Sequence, residues 1–249
     1  MEMRRFVEDV LEQRFGVKIL QVRNYLSDVS PEIQTVIEHA RPFTMTSPDR
    51  LASLCLAVEY VVANNIPGAF VECGVWKGGS SMAAAWTYSR LQREDVKLFL
   101  FDTFAGMSEP GEQDVSLRSK KSAKQLLANS SRKAEVWAYA SLDEVRQNLE
   151  STDYPIGNIH FVEGMVEDTI PREAPEQISI LRLDTDWYES TWHELKHLFP
   201  RLSKNGVLII DDYGDWAGAR KAVDDYFASL GIKPFLSRID ETGRIYVNH

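Results

Sequence analysis

Four aspartates stand where two apolar runs end. "LRLDTDWYEST" (181–191) closes on Asp184 and Asp186, and "GVLIIDD" (206–212) closes on Asp211 and Asp212. Carboxylates crowded at one place repel one another, so either some take up protons or a cation neutralises them. The candidate donors are all oxygens, which matches a hard ion, with Mg2+ the natural choice. Unrelated acids in solvated turns are the plain alternative. A shared focus requires that the two runs be neighbouring parallel strands, about 4.8 Å apart, with Asp184 brought close to Asp211 and Asp212.

A second cluster lies upstream. "FVECGVWKGGSS" (70–81) follows an apolar run and leads into a helical stretch. Gly74, Gly78 and Gly79 allow a tight turn and a close approach to a ligand. Ser80 and Ser81 fall where the helix starts, a place suited to an anionic group. The spacing matches neither GxGxxG nor the phosphate-binding P-loop. Glu72, just before the first glycine, has the spacing expected for holding the amino-acid part of S-adenosylmethionine. The next run, "LFLFD" (98–102), ends in Asp102, which could accept hydrogen bonds from both hydroxyls of a ribose. Glycines serving only close helix–strand packing are the competing explanation, and an NAD-type ligand is a further one.

The elements that must position these residues alternate. Apolar runs at 69–73, 97–102, 159–164, 178–184 and 206–212 are separated by helix-like stretches at 80–92, 141–150 and 187–199. Strand alternating with helix predicts a parallel sheet covered on both faces. A helix over 216–231 then leads to "KPFLSRI" and "RIYVN", which flank "DETG" as an antiparallel hairpin. Residues 3–14 and about 50–64 read as helices, the latter opened by "TSPD". The polar, basic stretch 106–136 is expected to be a lid over a site or a solvated insertion.

Composition excludes several classes. The chain has 249 residues and a net charge of -9, which disfavours nucleic acid or an anionic membrane as the main partner. No stretch nears the roughly 20 apolar residues needed to span a bilayer, and the first residues lack a signal-peptide core. Cys55 and Cys73 form no CxxC pair and suit a reducing, cytoplasmic setting. "HELKH" (193–197) matches the zinc-protease motif H-E-x-x-H, but Trp192, Leu195, Leu198 and Phe199 claim the core face of that helix. His193 and His197 are therefore expected on a solvated face, and no convincing Ser-His-Asp or Cys-His set occurs.

Five segments together carry a family likeness: "TMTSPDRL" (44–51), "FVECGVWKGGSS", "LFDTFAGM" (100–107), "LRLDTDWYEST" and "LIIDDYGDWAGARKAVDDYF" (208–227). In this order they resemble the macrocin O-methyltransferase (TylF-type) family, from about residue 40 onward. The resemblance implies a Class I methyltransferase fold, an α/β Rossmann-like doubly wound sheet, and sugar O-methylation using S-adenosylmethionine and Mg2+. It implies cofactor contacts from Thr46, Glu72, Gly74, Ser80, Asp102 and Gly164. It implies metal ligation by Asp184, Asp211 and Asp212, with Asp186 as general base. Some relatives take the base from a histidine before the third strand, and residues 103–158 here contain none, which favours Asp186 as base or a reaction in which the metal does most of the activation. The expected organisation is an N-terminal helical extension (1–45), a methyltransferase domain (46–249) and a lid (106–136). The expected acceptor is a small hydroxylated sugar or glycoside, as in antibiotic-like natural products. The protein is expected to form a homo-oligomer. The alternatives are an NAD-type oxidoreductase and a non-catalytic binding protein on the same fold.

Overall fold

The computed structural model describes residues 26–131 and 137–249. The helix expected over 3–14 lies outside them. The first described helix, α1 (Pro31–Ala40), packs Ile33 and Ile37 with Leu51, Cys55 and Ala83. Helix α2 (Pro48–Ala63) starts as its sequence predicts: Ser47 caps it by accepting from the Arg50 N–H at 3.2 Å, and Pro48 occupies the first turn.

Strands and helices then alternate. They are β1 (Ala69–Cys73), α3 (Gly79–Arg90), β2 (Leu98–Asp102), α4 (Ala123–Ala128), α5 (Leu142–Glu150), β3 (Ile159–Glu163), α6 (Val166–Thr169), β4 (Ile178–Leu183), α7 (Tyr188–Leu198), β5 (Leu202–Ile210) and α8 (Ala217–Ser229). The chain ends in β6 (Ser237–Arg238) and β7 (Arg244–Val247), the expected antiparallel hairpin. The sheet order is β3-β2-β1-β4-β5-β7-β6, with β1 to β5 parallel and β7 antiparallel to β5.

Both faces of the sheet are covered, so its central strands read as continuous apolar runs. Alternation sorts the side chains. Phe70, Ile180, Val207 and Ile209 join the core formed with α2, α3 and α5. Val71, Leu181, Leu183, Leu208 and Ile210 join the opposite core with α7 and α8. In α7, Leu195 and Leu198 are buried as expected, and so is Glu194. His193 differs from its expected solvated position. It is half-buried, with Nε2 3.0 Å from the Ile170 carbonyl oxygen, because α6 packs against this face.

The described part of the expected lid is docked. Ala123 and Leu127 pack on Trp187, with Met107 and Trp216 alongside. Short antiparallel bridges join Val115 to Ser122 and Ser116 to Trp216.

Candidate active site

A cleft of ≈ 330 Å³ opens at the carboxyl ends of β1, β2, β4 and β5, within the usual range for small-molecule sites. Thr46, Gly74, Ser80, Asp102, Gly164, Asp184, Asp186, Asp211 and Asp212 all line it. Of the expected site residues, Glu72 alone is withdrawn from the cleft.

Pleating explains Glu72. It is paired in register with Arg182 across β1 and β4, and both point toward α3. Arg182 Nη1 donates to Glu72 Oε1 at 2.6 Å, and the Ser81 hydroxyl donates to Glu72 Oε2. Glu72 is 1% exposed, and burial pushes its carboxyl up despite the guanidinium beside it. It supports the cleft floor from beneath.

Asp102 lines the cleft and also braces its glycine turn. Its Oδ2 accepts from the Val75 and Trp76 N–H groups at 2.6 and 3.0 Å, and its Oδ1 from the Phe104 N–H at 2.8 Å. Gly74 lies between β1 and the tip of β4. With φ +83°, a Cβ there would fall 2.0 Å from the Asp184 carbonyl oxygen, so only glycine fits.

The four aspartates divide unevenly. Asp184, Asp186 and Asp212 each bring one carboxylate oxygen to a common focus, all within 4.8 Å of one another. Asp211, expected in that group, is turned away. Its Oδ2 accepts from the Thr46 hydroxyl at 2.8 Å and pairs with Arg50 Nη1. Its Oδ1 lies 2.9 Å from Arg182 Nη2, an ion pair without hydrogen-bond alignment. Asp211 continues the β5 ladder, its N–H donating to the Leu183 carbonyl at 3.0 Å. Consecutive residues on such a chain face opposite ways, so Asp211 meets the arginines and Asp212 does not.

Electrostatics at the focus are severe. Loss of solvent and the neighbouring acids push Asp184 and Asp212 well above the usual carboxylate range. Burial and then the neighbouring Asp184 push Asp186 up to about 8. Asp212 Oδ2 is buried without a hydrogen-bond partner. Asp186 itself sits at φ +67°, a left-handed conformation that aspartate tolerates better than most residues. A buried, unpartnered carboxylate oxygen beside two further acids fits an all-oxygen divalent cation site.

Arg182 and Arg50 carry no role in the sequence reading, yet both hold the site. Arg182 is 3% exposed at its side chain and reaches Glu72, Asp184 at 2.7 Å, Asp211 and the Thr46 hydroxyl at 3.0 Å. The signal for Arg182 was legible: an arginine inside the buried run "ISILRLD" must find carboxylates. Arg50 has no such mark, since its partners Asp211 and Asp240 are remote in sequence.

The sheet order and the glycine turn at the carboxyl end of β1 define a class I methyltransferase fold. More narrowly, the chain belongs to the macrocin-O-methyltransferase (TylF) family, whose model matches residues 35–248. It is 34% identical over 204 residues to demethyldecarbamoylnovobiocin O-methyltransferase of Streptomyces niveus, covering 82% of this chain and 75% of that one. It is 36% identical over 203 residues to 8-demethyl-8-(2,3-dimethoxy-alpha-L-rhamnosyl)-tetracenomycin-C 4'-O-methyltransferase of Streptomyces olivaceus, covering 80% and 73%. The solved structure of the O-methyltransferase NovP superposes with a TM-score of 0.72 at 32% identity, covering 83% of this chain and 82% of that one. The chain is therefore an enzyme of the transferase class, which displaces the oxidoreductase and non-catalytic alternatives.

Proposed function

We propose that this enzyme transfers a methyl group from S-adenosylmethionine to a hydroxyl of a sugar carried by a small antibiotic-like natural product, with Mg2+ as cofactor. The observation that carries the reading is the convergence of Asp184, Asp186 and Asp212 within 4.8 Å in the cleft that also holds the glycine turn. The relatives' names supply the sugar: the Streptomyces olivaceus enzyme is named for a rhamnosyl-bearing acceptor.

Gly74, Ser80 and Asp102 would hold the methyl donor near the first two strands, with Thr46 and Gly164 at the edges of its site. Glu72 would contribute from below, through Ser81 and Arg182. Asp184 and Asp212 would hold the divalent cation, with Asp186 reaching the same focus. Asp211 would balance Arg50 and Arg182 and thereby orient the strand tip. When bound, the cation supplies Lewis-acid polarisation of the acceptor's oxygens and lowers the hydroxyl pKa. Asp186 would take the hydroxyl proton. The acceptor oxygen then bonds to the methyl carbon as the carbon–sulfur bond breaks, its electron pair remaining on sulfur. Fixing the two reactants in line removes most of the entropic barrier.

Cys55 and Cys73 are buried free thiols, in keeping with a cytoplasmic enzyme. Among the described residues, no helix is long and apolar enough to cross a membrane.

The test is activity on hydroxylated glycosides with S-adenosylmethionine, after chelator treatment and after Mg2+ is restored. Expected are loss and recovery of turnover, while S-adenosylhomocysteine still binds the stripped enzyme. Full turnover in excess chelator would remove the cation from the reading.

A further inference from the structure

Asp114 belongs to the polar insertion, yet it is 1% exposed. Its Oδ1 accepts the N–H of Tyr188, the first residue of α7, at 2.9 Å. Its Oδ2 accepts from the Gly111 N–H at 2.7 Å. The carboxylate also lies against the start of α8. A Cβ added at Gly218 would fall 1.8 Å from Asp114 Oδ1 and 3.1 Å from the Tyr188 nitrogen. One buried carboxylate thus sits where two helix N-termini meet, a placement that both helix dipoles favour.

Those two helices follow the two acid-bearing loops. Tyr188 comes two residues after Asp186, and Ala217 opens α8 five residues after Asp212. Two further backbone bonds stitch the insertion to the second loop. The Leu117 N–H donates to the Asp215 carbonyl at 2.7 Å, and the Ala217 N–H to the Val115 carbonyl at 2.9 Å. The Ala123 N–H donates to the Asp114 carbonyl at 2.8 Å, fixing the insertion's own turn.

We infer that Asp114 is a positioning residue, clamping the loop of Asp184 and Asp186 against the loop of Asp212 so that their carboxylates share one focus. The link to cation binding rests on the proposed function; the clamp itself does not. Asp114 touches none of the three acids and acts through the helix starts that anchor them.

The experiment has two arms, run on the full chain. In the first, backbone hydrogen exchange is measured without added metal for wild type and Asp114→Ala. Segments 184–190 and 211–218 should exchange faster by about 2- to 30-fold, the scale of a lost helix cap. Unchanged exchange there overturns the inference. In the second arm, Mn2+ affinity is titrated alongside S-adenosylhomocysteine affinity. Asp114→Ala should bind Mn2+ about 10- to 100-fold more weakly with the nucleoside affinity kept, and Asp114→Asn, retaining one acceptor, should fall between. Equal Mn2+ affinity in all three overturns the inference.

If Asp114→Ala does not fold, Gly218→Ala takes its place. Its methyl displaces the same carboxylate, while a helical alanine otherwise favours folding over glycine. It should weaken Mn2+ binding and speed exchange in 184–190; no change in either sinks the clamp. Failure of wild type to bind Mn2+ defeats the metal reading, and the exchange arm still decides the clamp.

Discussion

Glu72 and Arg182 face each other at paired positions of β1 and β4, 2.6 Å apart and sealed from solvent beneath the cleft. The same guanidinium reaches Asp184 and Asp211, so one buried charge underpins both acid-bearing strand tips. Buried Arg182, half-buried Arg50 and the crowded acids make the floor of this site electrostatically interdependent.

Removing one partner from that floor leaves the other's charge buried and unpaired. Arg182→Ala is expected to destabilise the fold by about 3–5 kcal/mol. Glu72→Gln should cost less, because glutamine keeps an acceptor for Arg182 and fills the same space. Denaturant melts of the two variants, compared at equal ionic strength, check the order; a milder Arg182→Ala would remove the guanidinium as the hub.

Asp211 and Asp212 should separate in their effects although they adjoin in sequence. Asp212→Asn is expected to weaken divalent-cation binding by about 10- to 100-fold or more, as loss of a ligand or its support does. Asp211→Asn should chiefly lower thermal stability, because Arg50 and Arg182 lose their shared carboxylate. Calorimetric Mn2+ titrations and melting temperatures distinguish the two. If Asp211→Asn proves the more damaging to cation affinity, Asp211 is a ligand, as the sequence pattern suggested.

Asp186→Asn removes the proposed proton acceptor while keeping the size of the side chain. Turnover should drop by about 10²–10⁴-fold, with little change in affinity for S-adenosylhomocysteine. Steady-state kinetics at saturating Mg2+, set beside a nucleoside titration, measure both quantities. Loss of nucleoside affinity with turnover preserved would strip Asp186 of that role.

The crowded acids also make stability depend on pH. Burial pushes Asp186 from its ordinary 3.8 up to about 8 in the fold, and Asp184 and Asp212 shift in the same direction. Between those limits the folded protein binds more protons than the unfolded chain, so this contribution to stability shrinks as pH rises. Metal-free enzyme should therefore melt progressively lower from about pH 4 toward pH 8 on account of these groups. Mg2+ should raise the melting temperature most at the alkaline end, where the acids are ionised. Melts across pH with chelator and with Mg2+ test this, and a Mg2+ effect largest at low pH would contradict it.

The alternation of apolar runs with helical stretches was enough to foretell a doubly wound sheet, because burial on both faces demands such runs. "AFVEC" is β1 residue for residue, and the tail folds into its hairpin. The same pattern placed acids at strand ends, and the glycine turn beside them. The face each acid presents came from elsewhere. Pleating and the Glu72–Arg182 register turn Glu72 inward and Asp211 toward two arginines, one of them from a helix 161 residues away in sequence. Asp114 likewise meets α7 across 74 residues of chain. Local sequence specifies which residues reach the sheet edge, since hydrophobic period is a local property. Which carboxylates share a focus depends on register and long-range charge pairing, and those exist only once the strands are side by side.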